Sequence, residues 1–356
     1  RLNGEFEYSY FANPVFKKNF YHYSLQNYTE KANSIFKAIH PYLKHIKVKH
    51  SSLPDLLRTT FETEFTTILF EYEYFQKLEK VRKPTRYYIS QDTKFVLTGW
   101  SPLHFPLAVF CKFFFAPKNK IVLFQPTSSS YTGILSIKSL FNDVIEIINK
   151  TFYFSVNTIF DIRRKLSFAN LERHYDFILF SSGLNLYYYN QMLRSLNTHN
   201  RGIVISGDQS QKDEFLLNYS GISYTPLKLF LTSDMENQKK QLVSQVIREY
   251  LFSARLLKKN NPLIDVPQVV RKAIYASIEM AGKKYITKYI SHVLLTENAV
   301  EKTDPKLVIT THDPSPTALP FVYAAHDRQK KTAVLLHGWN DFLLGEEYYS
   351  QKMLAW

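Results

Sequence analysis

Eight short apolar runs, most closing on small or polar residues, limit what this chain can fold into more than any other feature. They are KFVLTGW (94–100), KIVLFQP (120–126), TFYFSVN (151–157), DFILFSS (176–182), GIVISGD (202–208), KLFLT (228–232), KLVITTHD (306–313) and TAVLLHG (332–338). Most are apolar on both faces, so both faces must be covered. Helical stretches are expected between them at 102–115, 131–149, 186–196 and 316–327. Buried strands alternating with helices are the pattern of a parallel sheet.

Two regions break the alternation. Residues 1–90 are aromatic and basic at first, then give a helix in which Leu57, Phe61, Phe65, Ile68 and Leu69 recur near the 3.6 period. Ser52 and Pro54 suit its start and Pro84 its end. Two long helices are expected at about 234–258 and 266–300. In the second, Val270, Ile274, Ile278, Tyr285, Tyr289 and Val293 share one stripe, and Lys272, Lys283, Lys284 and Lys288 fall elsewhere. The sequence thus predicts an α/β protein with a doubly wound, mostly parallel, Rossmann-like sheet. A helical N-terminal appendage (1–90) precedes the α/β domain (91–345), and two long helices are inserted in it, at about 234–300. Residues 346–356 are expected to be helix-like and to start a linker or second domain.

Charge and cysteine usage narrow the function. The net charge of +14 favours a polyanionic partner, and its carriers are scattered rather than clustered. The single cysteine, Cys111, excludes an intramolecular disulfide framework and a cysteine-built zinc site, and it fits a reducing cytoplasm. No run reaches the roughly 18–20 apolar residues of a membrane span. An amphipathic core helix is the ordinary reading of 266–300, and peripheral membrane contact through its basic face is the sharper one.

In a sheet of this kind ligands sit beyond the carboxyl ends of the strands. The candidate segments are therefore TGWSPLHF, QPTSSS, SSGLN, SGDQSQ, THDPSP and HGWNDF. The turn at Gly99 and Ser101 could present backbone amides to a phosphate, with His104 in the helical turn that follows. No G-x-G-x-x-G or Walker lysine pattern accompanies it, which argues against a dinucleotide or NTP-hydrolysing site. In THDPSP, His312 and Asp313 stand at a strand end, and either Asp313 or Ser315 could cap the next helix. His337 also ends a strand, and Gly338 after it would let a ligand approach the backbone closely. A histidine there can serve as a base or as a satisfied structural group. Neither a G-x-S-x-G elbow nor a metal-binding H-E-x-x-H occurs.

The segment PKLVITTHDPSPTALPFVYAAHDRQKKTAVLLHGW resembles the end of the N-terminal Rossmann domain in bacterial GT-B-type glycosyltransferases of surface polysaccharides. Kdo transferases of lipopolysaccharide synthesis and teichoic-acid glycerophosphotransferases share this layout. In the latter, His-Gly is followed by a second glycine seven residues after the first, a spacing that Gly338 and Gly345 keep. The resemblance implies that His337 is the base. It departs at Trp339, Asn340, Asp341 and Phe342, where the family usually has proline and lysine. It also implies a second Rossmann domain beyond Trp356, or a single-domain transferase.

The expected function is transfer of a sugar, Kdo being one option, from a CMP-, CDP- or UDP-linked donor to a bacterial surface glycan such as lipopolysaccharide or capsule. His337 and then Asp313 are the base candidates, with His312, Gly338, Trp339, Gly99, Ser101 and His104 at the substrate. No obligatory cofactor or metal is expected. The acceptor would be an anionic glycan or a lipid-linked one, met in the cytoplasm at the inner face of the membrane. Nucleic acid is not the expected partner. An S-adenosylmethionine-dependent methyltransferase and a non-catalytic basic assembly or nucleic-acid-binding protein are the two rivals.

Overall fold

The computed structural model describes residues 20–81, 87–90, 121–124, 168, 171, 174–181, 193–195, 198, 200–207, 223–311, 315–336 and 350–355. Within them a helical bundle stands against a parallel sheet.

The bundle begins with α1 (Phe20–Leu43) and α2 (Leu53–Val81), joined by a tight hairpin of β1 (Lys47–Val48) and β2 (Ser51–Ser52). Tyr28, Ala32, Ile35, Phe36, Ile39 and Leu43 recur at helical spacing along α1 and are buried together. They meet Leu53, Leu57, Phe61, Phe65 and Ile68 of α2, where Phe61 and Phe65 stack at 5.5 Å. The start of α2 directly after Ser52 agrees with the sequence reading.

Two long antiparallel helices complete the bundle: α3 (Ser233–Asn260) and α4 (Gln268–Thr303). The stripe expected on α4, from Val270 through Val293, is buried in the same core as α1 and α2. The N-terminal helices and the long helices, read separately in the sequence, therefore share one hydrophobic core. Each long helix ends on a residue in left-handed conformation, Asn261 (φ 49°) and Asp304 (φ 42°), whose N–H returns to the last turn.

A two-stranded parallel pair is made by β3 (Tyr87–Ser90) and β4 (Ile121–Phe124). The first of these lies just before the expected run at 94–100, inside the span assigned to the appendage. The main sheet contains β5 (Phe177–Ser181), β6 (Gly202–Ser206), β7 (Ser223–Pro226), β8 (Leu307–Thr310), β9 (Lys331–Leu336) and β10 (Lys352–Ala355). Its order is β10-β9-β8-β5-β6-β7, and every neighbouring pair is parallel. From β5 the chain steps outward to β6 and β7. It returns through α3 and α4, lays β8 on the other side of β5, and steps outward to β9 and β10. The mixed helix-and-strand architecture with a parallel sheet is the α/β class expected.

One face of the sheet, carrying Ile178, Phe180, Ile203, Ile205 and Val308, packs on Ala299 and Val300 of α4 and on α5 (Leu319–Asp327). Phe180 and Phe321 stack there at 4.4 Å. The other face carries Phe177, Leu179, Val204, Tyr224, Ile309 and Leu335. Because α4 contributes Val270 through Leu294 to the bundle core and its last turns to the sheet core, it ties the two bodies together.

Two elements differ from the sequence reading. Residues 228–232, expected as a strand, lie in and just after a 3-10 turn (Leu227–Phe230) that follows β7. Leu227 and Phe230 are both buried in one cluster, and residues three apart share a side in a 3-10 helix but oppose each other in a strand. Residues 352–355, expected as helical, instead form β10, an edge strand paired with β9. The backbone N–H of Gln351 donates to Thr332 Oγ1 at 2.9 Å and fixes the entry to that strand. The sheet thus continues past residue 345, where the sequence reading ended the α/β domain.

The runs at 94–100 and 151–157 and the helices at 102–115 and 131–149 lie outside the described residues. Among the described residues no helix is long and apolar enough to cross a membrane.

Candidate functional site

The parallel sheet has two unlike edges. At the carboxyl edge, β5 ends on Ser181, β6 on Ser206, and β8 on Thr310 followed by Thr311; Thr225 lies near the end of β7. All five are almost fully buried. Ser181 and Ser206 are register partners, and Thr310 is the partner of Phe180. Thr311 is one residue further along, so Thr311, Ser181 and Ser206 form a row of hydroxyls across three neighbouring strands. At the usual strand spacing of about 4.8 Å the row spans roughly 10 Å. On the opposite face Thr225 and Thr310 flank Phe180 and Ile205.

Among the described residues the hydroxyls of Ser206, Thr225, Thr310 and Thr311 find no hydrogen-bond partner. A buried hydroxyl left so is worth about 1–3 kcal/mol of lost solvation. The row crosses the β5–β8 boundary, from which the chain runs outward in both directions. In open parallel sheets that reversal opens a crevice beyond the carboxyl ends.

The amino edge is wired differently. Asp176, just before β5, accepts from Lys306 Nζ at 2.7 Å and from the Arg201 N–H at 2.8 Å. The Lys306 hydrogen bond, with help from the Arg201 amide, holds the Asp176 carboxyl below its ordinary range. Asp304 pairs with Lys330 at 2.6 Å and His174 at 2.8 Å, and the Lys330 hydrogen bond likewise lowers its carboxyl. Thr332 near the start of β9 shares its hydroxyl with His326 at 3.0 Å and the Gln351 amide. Gly202 opens β6 directly against the Phe177 ring; a Cβ built there would stand 1.9 Å from the ring tip. This edge is a joint, with the carboxylates of Asp176 and Asp304 each answered by a neighbour.

The residues singled out in the sequence are placed only through their strands. His312 and Asp313 follow Thr311, and His337, Gly338 and Trp339 follow Leu336. These five, with Gly99, Ser101 and His104, lie outside the described residues. The strands leading to the first two groups, β8 and β9, are hydrogen-bonded neighbours that end on the carboxyl edge. Ser315 does not cap α5, whose N-cap position is Ala318 with no side-chain cap; its Oγ instead accepts from the Ala318 N–H at 3.1 Å in the turn before the helix. Sequence reading singled out the strand-end segments but not the hydroxyls Ser206, Thr225, Thr310 and Thr311. The available signal was the recurrence of Ser and Thr at the ends of apolar runs.

Two other polar features belong to the scaffold. Glu71 of α2 is fully buried, and its carboxyl oxygens find no hydrogen-bond partner among the described residues. Burial, reinforced by the neighbouring carboxyl of Glu64, pushes Glu71 well above the usual carboxylate range. An open groove beside α4 is lined by Lys49, Glu297, Glu301 and Arg328, which pair among themselves. Among the described residues no three His, Cys, Asp or Glu side chains come together in a way that could hold a metal.

Comparison with family models, curated proteins and solved structures finds no match to this chain.

Proposed function

We propose that this protein is a glycosyltransferase that moves a sugar from a nucleotide-activated donor to a hydroxyl of a bacterial surface glycan. The observation that carries the reading is the set of strand-end hydroxyls of Ser206, Thr225, Thr310 and Thr311, which have no hydrogen-bond partner among the described residues. Strand order supports it. Numbered from β5, the sheet reads 3-2-1-4-5-6, the doubly wound, Rossmann-like order whose crevice takes nucleotides. Hydroxyls donate to phosphate oxygens and accept from sugar hydroxyls, so such a rim suits a sugar nucleotide better than an apolar ligand.

In this reading His337, the residue after β9, is the general base, with Asp313, three residues after the end of β8, as second candidate. The base takes the acceptor proton as the acceptor oxygen bonds to the anomeric carbon. The bond from that carbon to the donor phosphate breaks, and the nucleotide leaves with the electron pair. His312, Gly338, Trp339, Gly99, Ser101 and His104 are the proposed substrate contacts. Net charge of +14 suits both a phosphorylated donor and an anionic acceptor. We place the reaction in the cytoplasm, the compartment that suits Cys111.

A thermal-shift screen with CMP, CDP, UDP and S-adenosylmethionine tests the reading, because a ligand that binds only the native state raises its melting temperature. A shift with one of the pyrimidine nucleotides is expected. A shift with S-adenosylmethionine alone would replace the proposal with a methyltransferase.

A further inference from the structure

The end of the α3–α4 hairpin carries a surface that the sugar-transfer reading does not use. Phe252 is 61 % exposed, Ile264 70 % and Leu256 39 %. Phe252 and Leu256 are one turn apart on α3, and Ile264 sits in the turn that leads to α4. Isolated apolar side chains on a surface need no explanation, but three large ones at one end of a bundle do. The cations Arg248, Arg255, Lys258 and Lys259 are exposed on the same helix, and Lys272 is exposed on α4 just beyond the turn. Residues 248–272 contain six basic and two acidic side chains, Glu249 and Asp265. One nearby acid outside that span, Glu279, lies 3.6 Å from Lys258 and is answered by it.

We propose that this hairpin end docks on an anionic lipid bilayer. Phe252, Leu256 and Ile264 would enter the headgroup–acyl boundary while the surrounding cations meet lipid phosphates. Charge decides between occupants. A second copy seated on the same surface would bring an identical set of cations, Arg248, Arg255, Lys258 and Lys259, against this one, and like charges set face to face oppose association. A bilayer bearing negative headgroups has no such conflict. The sequence had placed membrane contact on the basic face of 266–300; the exposed apolar residues move it to α3 and the turn.

Geometry makes the docking compatible with catalysis elsewhere. The turn lies at the opposite end of α4 from Ala299 and Val300, which pack on the sheet. Twenty-nine residues separate Val270 from Ala299 in the chain, about 40 Å of helix. The hairpin would therefore anchor the molecule without covering the sheet.

The test is co-sedimentation of the full chain with phosphatidylcholine vesicles, with and without phosphatidylglycerol. Binding is expected only with the anionic lipid, and added salt should weaken it. Phe252→Ser with Ile264→Ser, and separately Arg255→Glu with Lys259→Glu, should each lower partitioning by about tenfold or more while melting curves stay at the wild-type position. Failure of the wild type to bind overturns the proposal, as does binding that neither variant weakens. A wild-type dimer in lipid-free sedimentation velocity that Phe252→Ser with Ile264→Ser converts to monomer would assign the surface to a second copy. No nucleotide is needed, so the result is independent of the donor screen.

Discussion

The two edges of the main sheet are built from the same strands and treat polar groups in opposite ways. At the amino edge Asp176, Asp304 and Thr332 each have a partner supplied by a neighbouring segment. At the carboxyl edge Ser206, Thr225, Thr310 and Thr311 have none among the described residues. Burial does not explain the difference, since Thr332 and Thr311 are equally buried. What separates them is whether a described neighbouring segment closes the hydrogen bond. A polar group completed within the fold stabilises it; a group left for an outside partner is where recognition can occur.

That contrast can be broken by mutation. The largest effect is expected at the proposed base: His337→Ala should lower turnover roughly 10²–10⁴-fold with an unchanged melting temperature, read by single-turnover sugar transfer. Full turnover in the variant would remove the base assignment. At the amino edge Gly202→Ala should do the reverse. Its methyl would collide with the buried Phe177 ring, costing about 1–3 kcal/mol in denaturant unfolding while the folded fraction keeps its nucleotide affinity. Thr311→Val replaces an unpartnered hydroxyl by a methyl of the same shape. We expect stability unchanged or slightly raised, and affinity for a pyrimidine nucleotide lowered by up to about tenfold in calorimetry.

The smallest effect concerns pH. Asp176 has its folded-state carboxyl lowered by Lys306 and the Arg201 amide, so the unfolded chain takes up its proton first on acidification. Its contribution to stability is present above the ordinary carboxylate range and is lost as pH falls through the lowered folded value. Asp176→Asn should flatten that acid limb slightly in melting curves and leave nucleotide binding alone. A change in affinity instead would erase the distinction between the edges.

Much of the sheet was legible because it rests on local signals. DFILFSS, GIVISGD, KLVITTHD and TAVLLHG each contain the strand expected of them, and apolar runs covered on both faces can hardly be anything else. The α4 stripe was equally plain, since its spacing fits only a helix with one buried side. Leu227–Phe230 failed for a local reason: a four-residue apolar stretch has too little length to separate strand from 3-10 turn, and packing decided it. At β10 the outcome came from a distant neighbour, since only β9 supplies the pairing that makes Lys352–Ala355 a strand. The same holds for the union of α1 and α2 with α3 and α4, whose contacts join residues more than 200 apart, as in the Thr60–Tyr289 hydrogen bond. The rim was half visible. Strand ends rich in Ser and Thr can be read from the sequence, but whether each hydroxyl has a partner depends on the whole fold.

Hydrogen–deuterium exchange with and without saturating CMP, CDP or UDP tests the central claim most directly. The account predicts slowed exchange at Ser181, Ser206–Gly207 and Thr310–Thr311, with Arg201 and Lys306 at the other edge unchanged. Protection confined to Arg201, Lys306 and their neighbours, or no protection with any of the three nucleotides, would contradict it.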